Sequence, residues 1–192
     1  MSTPSFQDFA RRYQETFARA VAGWDLAALE RVAEVLRRAR DDGRTVLVAG
    51  NGGSAAICNH LECDATKGTH HPGCAPLNTR SLSANPSVLT ALGNDIGFDV
   101  VFERQVEYYA RPADVLMLIS SSGNSPNVVR ACEAAKGRGM ITVGFVGFSG
   151  GRLKDLCDHV LHIPFDNYGI SEDMHQASMH VITQWLNLVF RP

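Results

Sequence analysis

Apolar residues recur along this chain with two different periods, and the change falls near residue 44. Before it, Phe6, Phe9, Tyr13 and Phe17 lie three or four positions apart, one face of a helix, and Gly23 ends the run. Asp25 has the short acceptor side chain of an N-cap. Behind it Leu26, Leu29, Val32, Ala33 and Leu36 form a second helical stripe that stops at Gly43. Periodicity leaves open whether these helices cover the chain's own sheet or dock a neighbouring subunit.

From residue 45 short apolar runs alternate with helical patterns. The runs predict strands over 45–49, 77–83, 115–120, 140–146 and 159–164. Helices are predicted over about 54–67, 86–92, 100–110, 126–138, 151–156 and 172–190. Several strands are almost wholly apolar, which suits a parallel sheet buried on both faces. The expected architecture is α/β, a three-layer sandwich over 44–192 with an N-terminal helical extension over 1–43, in one domain.

Composition narrows the partners. A net charge of −2 argues against a nucleic-acid or anionic-membrane partner, but not against an anionic metabolite. No apolar run is long enough to span a bilayer, and the first residues lack a signal-peptide core. Cys58, Cys63, Cys74, Cys132 and Cys157 are an odd, scattered set, read as reduced thiols of a cytoplasmic protein.

Two Gly/Ser/Asn-rich turns follow strands: Gly50-Asn51-Gly52-Gly53-Ser54 and Ser120-Ser121-Ser122-Gly123-Asn124-Ser125. Each places backbone N–H groups, small hydroxyls and a helix start around one spot, a cradle for a phosphorylated or polyhydroxylated ligand. The first also fits Gly-x-Gly-x-x-Ala, yet the strand at 77–83 carries no acid for a ribose, so a dinucleotide site is disfavoured. No Gly-Lys-Ser/Thr follows, which disfavours a nucleotide P-loop. A plain tight turn is its bland alternative. In the second cradle Ser125 stands as an N-cap before Pro126, and an exposed serine cluster is the bland alternative.

Beyond the first cradle, His60 and Asp64 share a helix face at i and i+4 while Glu62 points away, the spacing of half a metal site. Glu172 and His180 are further candidate ligands, although eight helical residues separate them by about 12 Å. The plainer readings are an exposed His60–Asp64 pair and a core His180 satisfied by Gln176. Cys63 reads as a buried, inert thiol in preference to a replacement ligand, His70 and His71 as a loop, Lys67 as solvated, and Trp24 and Trp185 as packing residues.

Taken in order, Asn51-Gly52-Gly53-Ser54, Gly93-Asn94-Asp95-x-Gly97-Phe98, Ser120-x-Ser122-Gly123-Asn124-Ser125-x-Asn127 and a late helix with His175 and His180 resemble the SIS (sugar isomerase) family, in its phosphoheptose isomerase branch. The resemblance implies a five-stranded parallel sheet, a homotetramer with active sites between subunits, and interconversion of sedoheptulose 7-phosphate and a glycero-manno-heptose 7-phosphate. It implies that Ser120, Ser122 and Ser125, with Ser121 beside them, hold the phosphate. Asn51, Gly52, Gly53, Ser54, Asn94, Asp95 and Glu172 would meet the sugar. It also implies a divalent metal, zinc, at His60, Asp64, Glu172 and His180, with Asp64 and His180 as the acid/base pair. The family has glutamate at Asp64 and glutamine at Glu172, so this chain shortens the base and adds a charge. Some relatives are adaptors or sugar-phosphate sensors, and an isomerase of another sugar phosphate is the remaining alternative.

Overall fold

The computed structural model describes residues 3–192. Its elements run α1 (Phe6–Ala22), α2 (Leu26–Asp41), β1 (Val46–Gly50), α3 (Gly53–Lys67), β2 (Thr79–Ser81), α4 (Pro86–Asp95), a 3-10 turn (Phe98–Val100), α5 (Val101–Tyr109), β3 (Val115–Ser120), α6 (Pro126–Gly137), β4 (Ile141–Val146), α7 (Gly151–Leu156), β5 (His159–His162) and α8 (Tyr168–Val189). All five strands are parallel in the order β2-β1-β3-β4-β5, so the expected sandwich is present.

Alternation along the strands builds two apolar layers. Val46, Val48, Val115, Met117, Val143 and Phe145 face one way, into a cluster with α2, α3 and α8. Leu47, Ala49, Leu116, Leu118 and Val146 face the other way, against α4, α5, α6 and α7. Side chains on successive strand residues point to opposite faces, so a run apolar at every position must be covered on both sides.

The N-terminal helices divide. Val32 and Leu36 of α2 are fully buried, so α2 belongs to the sandwich layer rather than to an extension outside it. The α1 stripe is only half covered: Tyr13 and Phe17 pack on the core, whereas Phe6 is 83% and Phe9 58% exposed. Tyr13 donates to the Asp173 carboxylate at 2.5 Å, pinning α1 to α8. Burial, reinforced by that carboxylate, pushes the Tyr13 phenol up to about 12.

Three elements depart most from their expected bounds. The run over 77–83 forms only a three-residue edge strand, because just one neighbour, β1, is there to pair with it. α4 continues to Asp95, so Asn94 and Asp95 end a helix rather than occupy a loop. α8 begins at Tyr168, with the Asn167 side chain accepting from the Ile170 N–H. Glu172 therefore lies one turn inside a formed helix, not at its first residue.

Candidate active site

β1 and β3 are adjacent, with Gly50 beside Ile119, so the two cradles leave the same edge of the sheet side by side. The strand order runs outward in opposite directions from this pair, and such a switch point opens a crevice at the C-terminal strand ends. Asn51 and Asn127 span it. Asn51 Nδ2 donates to Asn127 Oδ1 at 2.9 Å and Asn127 Nδ2 returns a bond to Asn51 Oδ1 at 3.0 Å.

The second cradle is rigid at its rear and open at its front. Gly123 N–H donates to the Ser120 carbonyl at 3.1 Å and Oγ at 3.2 Å, and Asn124 N–H donates to Ser122 Oγ at 3.3 Å. Asn124 Oδ1 accepts from Arg152 N–H at 2.9 Å, tying the loop to α7. Gly123 has φ +63°, and a Cβ there would lie 2.0 Å from the Gly150 carbonyl oxygen, so only glycine fits. Ser125 occupies the N-cap position of α6, but its side chain makes no capping bond, contrary to the capping role expected of it. The Ser121 hydroxyl is buried without a hydrogen-bond partner among the described residues. Free hydroxyls and an uncapped helix start are what a phosphoryl group needs.

The first cradle differs. α3 also starts without a side-chain cap, but the Glu172 carboxylate lies over it: a Cβ on Gly53 would meet its three terminal atoms at 2.4–2.7 Å. A carboxylate there complements the helix dipole and repels a second anion, which disfavours a phosphate at this turn. It remains a polar wall, with Asn51 and Gly53 at the surface and Ser54 buried.

His60 and Asp64 on α3 meet His180 on α8, each offering a ligand atom within 4.8 Å of the others. His60 Nε2 is 3.5 Å and His180 Nε2 3.8 Å from the Asp64 carboxylate oxygens, and the two rings stand edge-on at 5.0 Å. The bland partners exist too, since Gln176 Nε2 lies 3.0 Å from His180 Nε2. The same amide reaches His60 Nδ1 at 2.9 Å and joins the group instead of replacing it. Two imidazoles and one carboxylate this close together fit a divalent metal ion. Glu172 is not in the cluster, because two helical turns set it at Gly53. Gln176 was legible at i−4 from His180, but its contact with α3 was not.

Other expectations resolve individually. Glu62 turns away and accepts from Ser81 N–H at 2.9 Å. Asn94 and Asp95 are exposed and bond to each other at 2.8 Å, without a hydrogen bond to either cradle among the described residues. His71 Nε2 is fixed on the Asn187 carbonyl at 2.9 Å, so the loop is anchored there. Trp24 packs against the core, whereas Trp185 is 39% exposed and Cys63 is exposed on α3, corrections to their readings as a packing residue and a buried thiol. His175 is fully buried against Phe145, and burial pushes its imidazole down to about 4. A cavity of about 880 Å³ opens at the other end of the sheet, lined by Val115, Ile141 and His159, the first residues of their strands.

A family model described as "SIS domain" matches residues 8–147. The chain belongs to the SIS domain family. Its relatives place it in the phosphoheptose isomerase branch. A phosphoheptose isomerase from Rhodospirillum rubrum is 40% identical over 155 residues, 81% of this chain and 82% of that one. Another from a Bradyrhizobium strain is 39% identical over 165 residues, 86% and 83% of the two chains. The structure of phosphoheptose isomerase from Neisseria gonorrhoeae superposes with a TM-score of 0.89 at 29% identity, covering 96% of this chain and all of that one. The SIS match includes most of α1 and all of α2, in keeping with the burial of α2.

Proposed function

We propose that the protein interconverts sedoheptulose 7-phosphate and D-glycero-D-manno-heptose 7-phosphate through an enediol. One observation carries this reading: an open phosphate cradle is bolted, through Asn51 and Asn127, to a polar turn on the helix that bears His60 and Asp64. Anchoring the phosphoryl tail supplies binding energy away from the reacting carbons, which fixes their position. Asp64 takes the proton from C1 while His180 gives one to the C2 carbonyl oxygen, leaving a 1,2-enediol. Return of a proton to C2 and loss of one from O1 yield the aldose. His60, Asp64 and His180 would hold a zinc ion, which when bound polarises the sugar oxygens.

Residues 1–192 are read as one domain in the cytoplasm; no helix among the described residues is long and apolar enough to cross a membrane. The assembly is read as a homotetramer. In that assembly the exposed Asn94 and Asp95, with Phe98 65% exposed beside them, would complete a neighbour's site, and exposed Phe6, Leu26, Trp185 and Leu188 would supply apolar area for subunit contact. An alternative substrate, another ketose phosphate, is favoured by Glu172, whose charge at the sugar-facing turn discriminates by what it repels. A sensor or adaptor would need no acid/base cluster. The test is turnover by the purified protein of C5–C7 sugar phosphates with and without a chelator. Isomerisation of the heptulose phosphate, lost on chelation, is expected. Preference for another member selects the alternative, and no turnover promotes a binding role.

A further inference from the structure

We infer that Asn127 is a positioning residue, which sets the Asn51 carboxamide and makes the two cradles one rigid unit. The inference rests on the isomerase reading above. Asn127 lies directly behind Ser125 and Pro126 at the start of α6, and only 2% of it is exposed, so it is placed to act through a neighbour. That neighbour is Asn51. The two amides exchange a pair of hydrogen bonds at 2.9 and 3.0 Å across the gap between β1 and β3.

Turning one amide alone would set donor against donor and acceptor against acceptor, so each fixes the orientation of the other. Asn127 is buried, so such mismatches are costly there, which makes the pair a lock rather than a loose contact. Asn51 keeps one N–H and one lone pair outside the pair and is half-buried at the crevice, facing where the sugar must pass. Its backbone carbonyl accepts from Ala55 N–H in the first turn of α3, so the lock reaches the helix that carries His60 and Asp64. Phosphate seated on α6 thus fixes the register of the sugar relative to the acid/base cluster through two side chains.

A double-mutant cycle on sedoheptulose 7-phosphate turnover tests this. Asn127→Ala is expected to lower kcat roughly threefold to tenfold, the loss of one or two buried amide bonds. Inhibition by inorganic phosphate should stay within about twofold, because the Ser hydroxyls of the second cradle remain. In an Asn51→Ala background the same change should add nothing further to the loss of kcat. Asn127→Leu, which keeps roughly the size, adds no charge and removes both hydrogen-bonding groups, supplies the same comparison if the alanine variant melts early. Effects that multiply in the combined variant, or a phosphate inhibition constant that rises as far as kcat falls, would overturn the role. A wild type without turnover counts against the isomerase reading instead. The cycle is then read by calorimetric binding of sedoheptulose 7-phosphate, where non-additive losses support the lock and additive losses reject it.

Discussion

The two cradles look alike as strings of small residues and differ in what stands opposite them. The turn after β1 faces the Glu172 carboxylate, whereas the turn after β3 carries serine hydroxyls and ends on the uncapped start of α6. Helix starts attract anions, so an internal anion already placed at one directs an external anion to the other. In the proposed reading, a single charged side chain on α8 gives the crevice a polarity, with the phosphate end at β3 and the sugar end at β1.

That contrast is open to attack in order of expected effect. Asp64→Asn should cost at least about a hundredfold in kcat, the scale of a lost general base, while inorganic phosphate inhibits as before. Equal loss of both would erase the distinction between a reacting end and an anchoring end. Gly123→Ala should destabilise the fold by about 3 kcal/mol, since its Cβ runs into the Gly150 backbone at positive φ. Gly52→Ala, at φ +54° but with nothing within 4 Å, should cost about 1 kcal/mol; urea unfolding of both variants ranks the rigidity of the turns.

α8, which carries Glu172, is seated through buried His175, and acid should loosen it. The His175 pKa is about 4 in the fold against 6.5 for an unperturbed imidazole, so the unfolded chain binds more protons between those values. Stability is therefore expected to be full above about pH 6.5 and to fall by about 3 kcal/mol as the pH drops to 4. His175→Leu should flatten that part of a stability profile measured by urea unfolding. The smallest contrast is between Ser122→Ala with Ser125→Ala, which should raise KM about tenfold, and Glu172→Gln, which should change phosphate inhibition less than twofold. Phosphate inhibition strengthened well beyond twofold in Glu172→Gln would mean that the first turn also takes the anion once its carboxylate is gone.

Much of this was legible in one dimension. Strands apolar at every position could only be parallel and covered twice, and the turns after β1 and β3 advertised themselves by composition. His60 and Asp64 were a local pair at helical spacing. Glu172 was harder, because its distance from His180 is local but its seat against Gly53 is a contact between residues 119 positions apart. Gln176 was legible as a partner of His180 and illegible as a partner of His60.

Local order along the chain settled which segments are strand or helix and which side chains carry donors, acceptors and charge, because those follow from periods of two and 3.6 residues. Tertiary packing alone decided that β1 lies beside β3, that Asn51 meets Asn127, and that one cradle is closed while its twin is open. Such choices depend on which distant helix crosses each strand end, and nothing within one turn encodes its neighbour across the sheet.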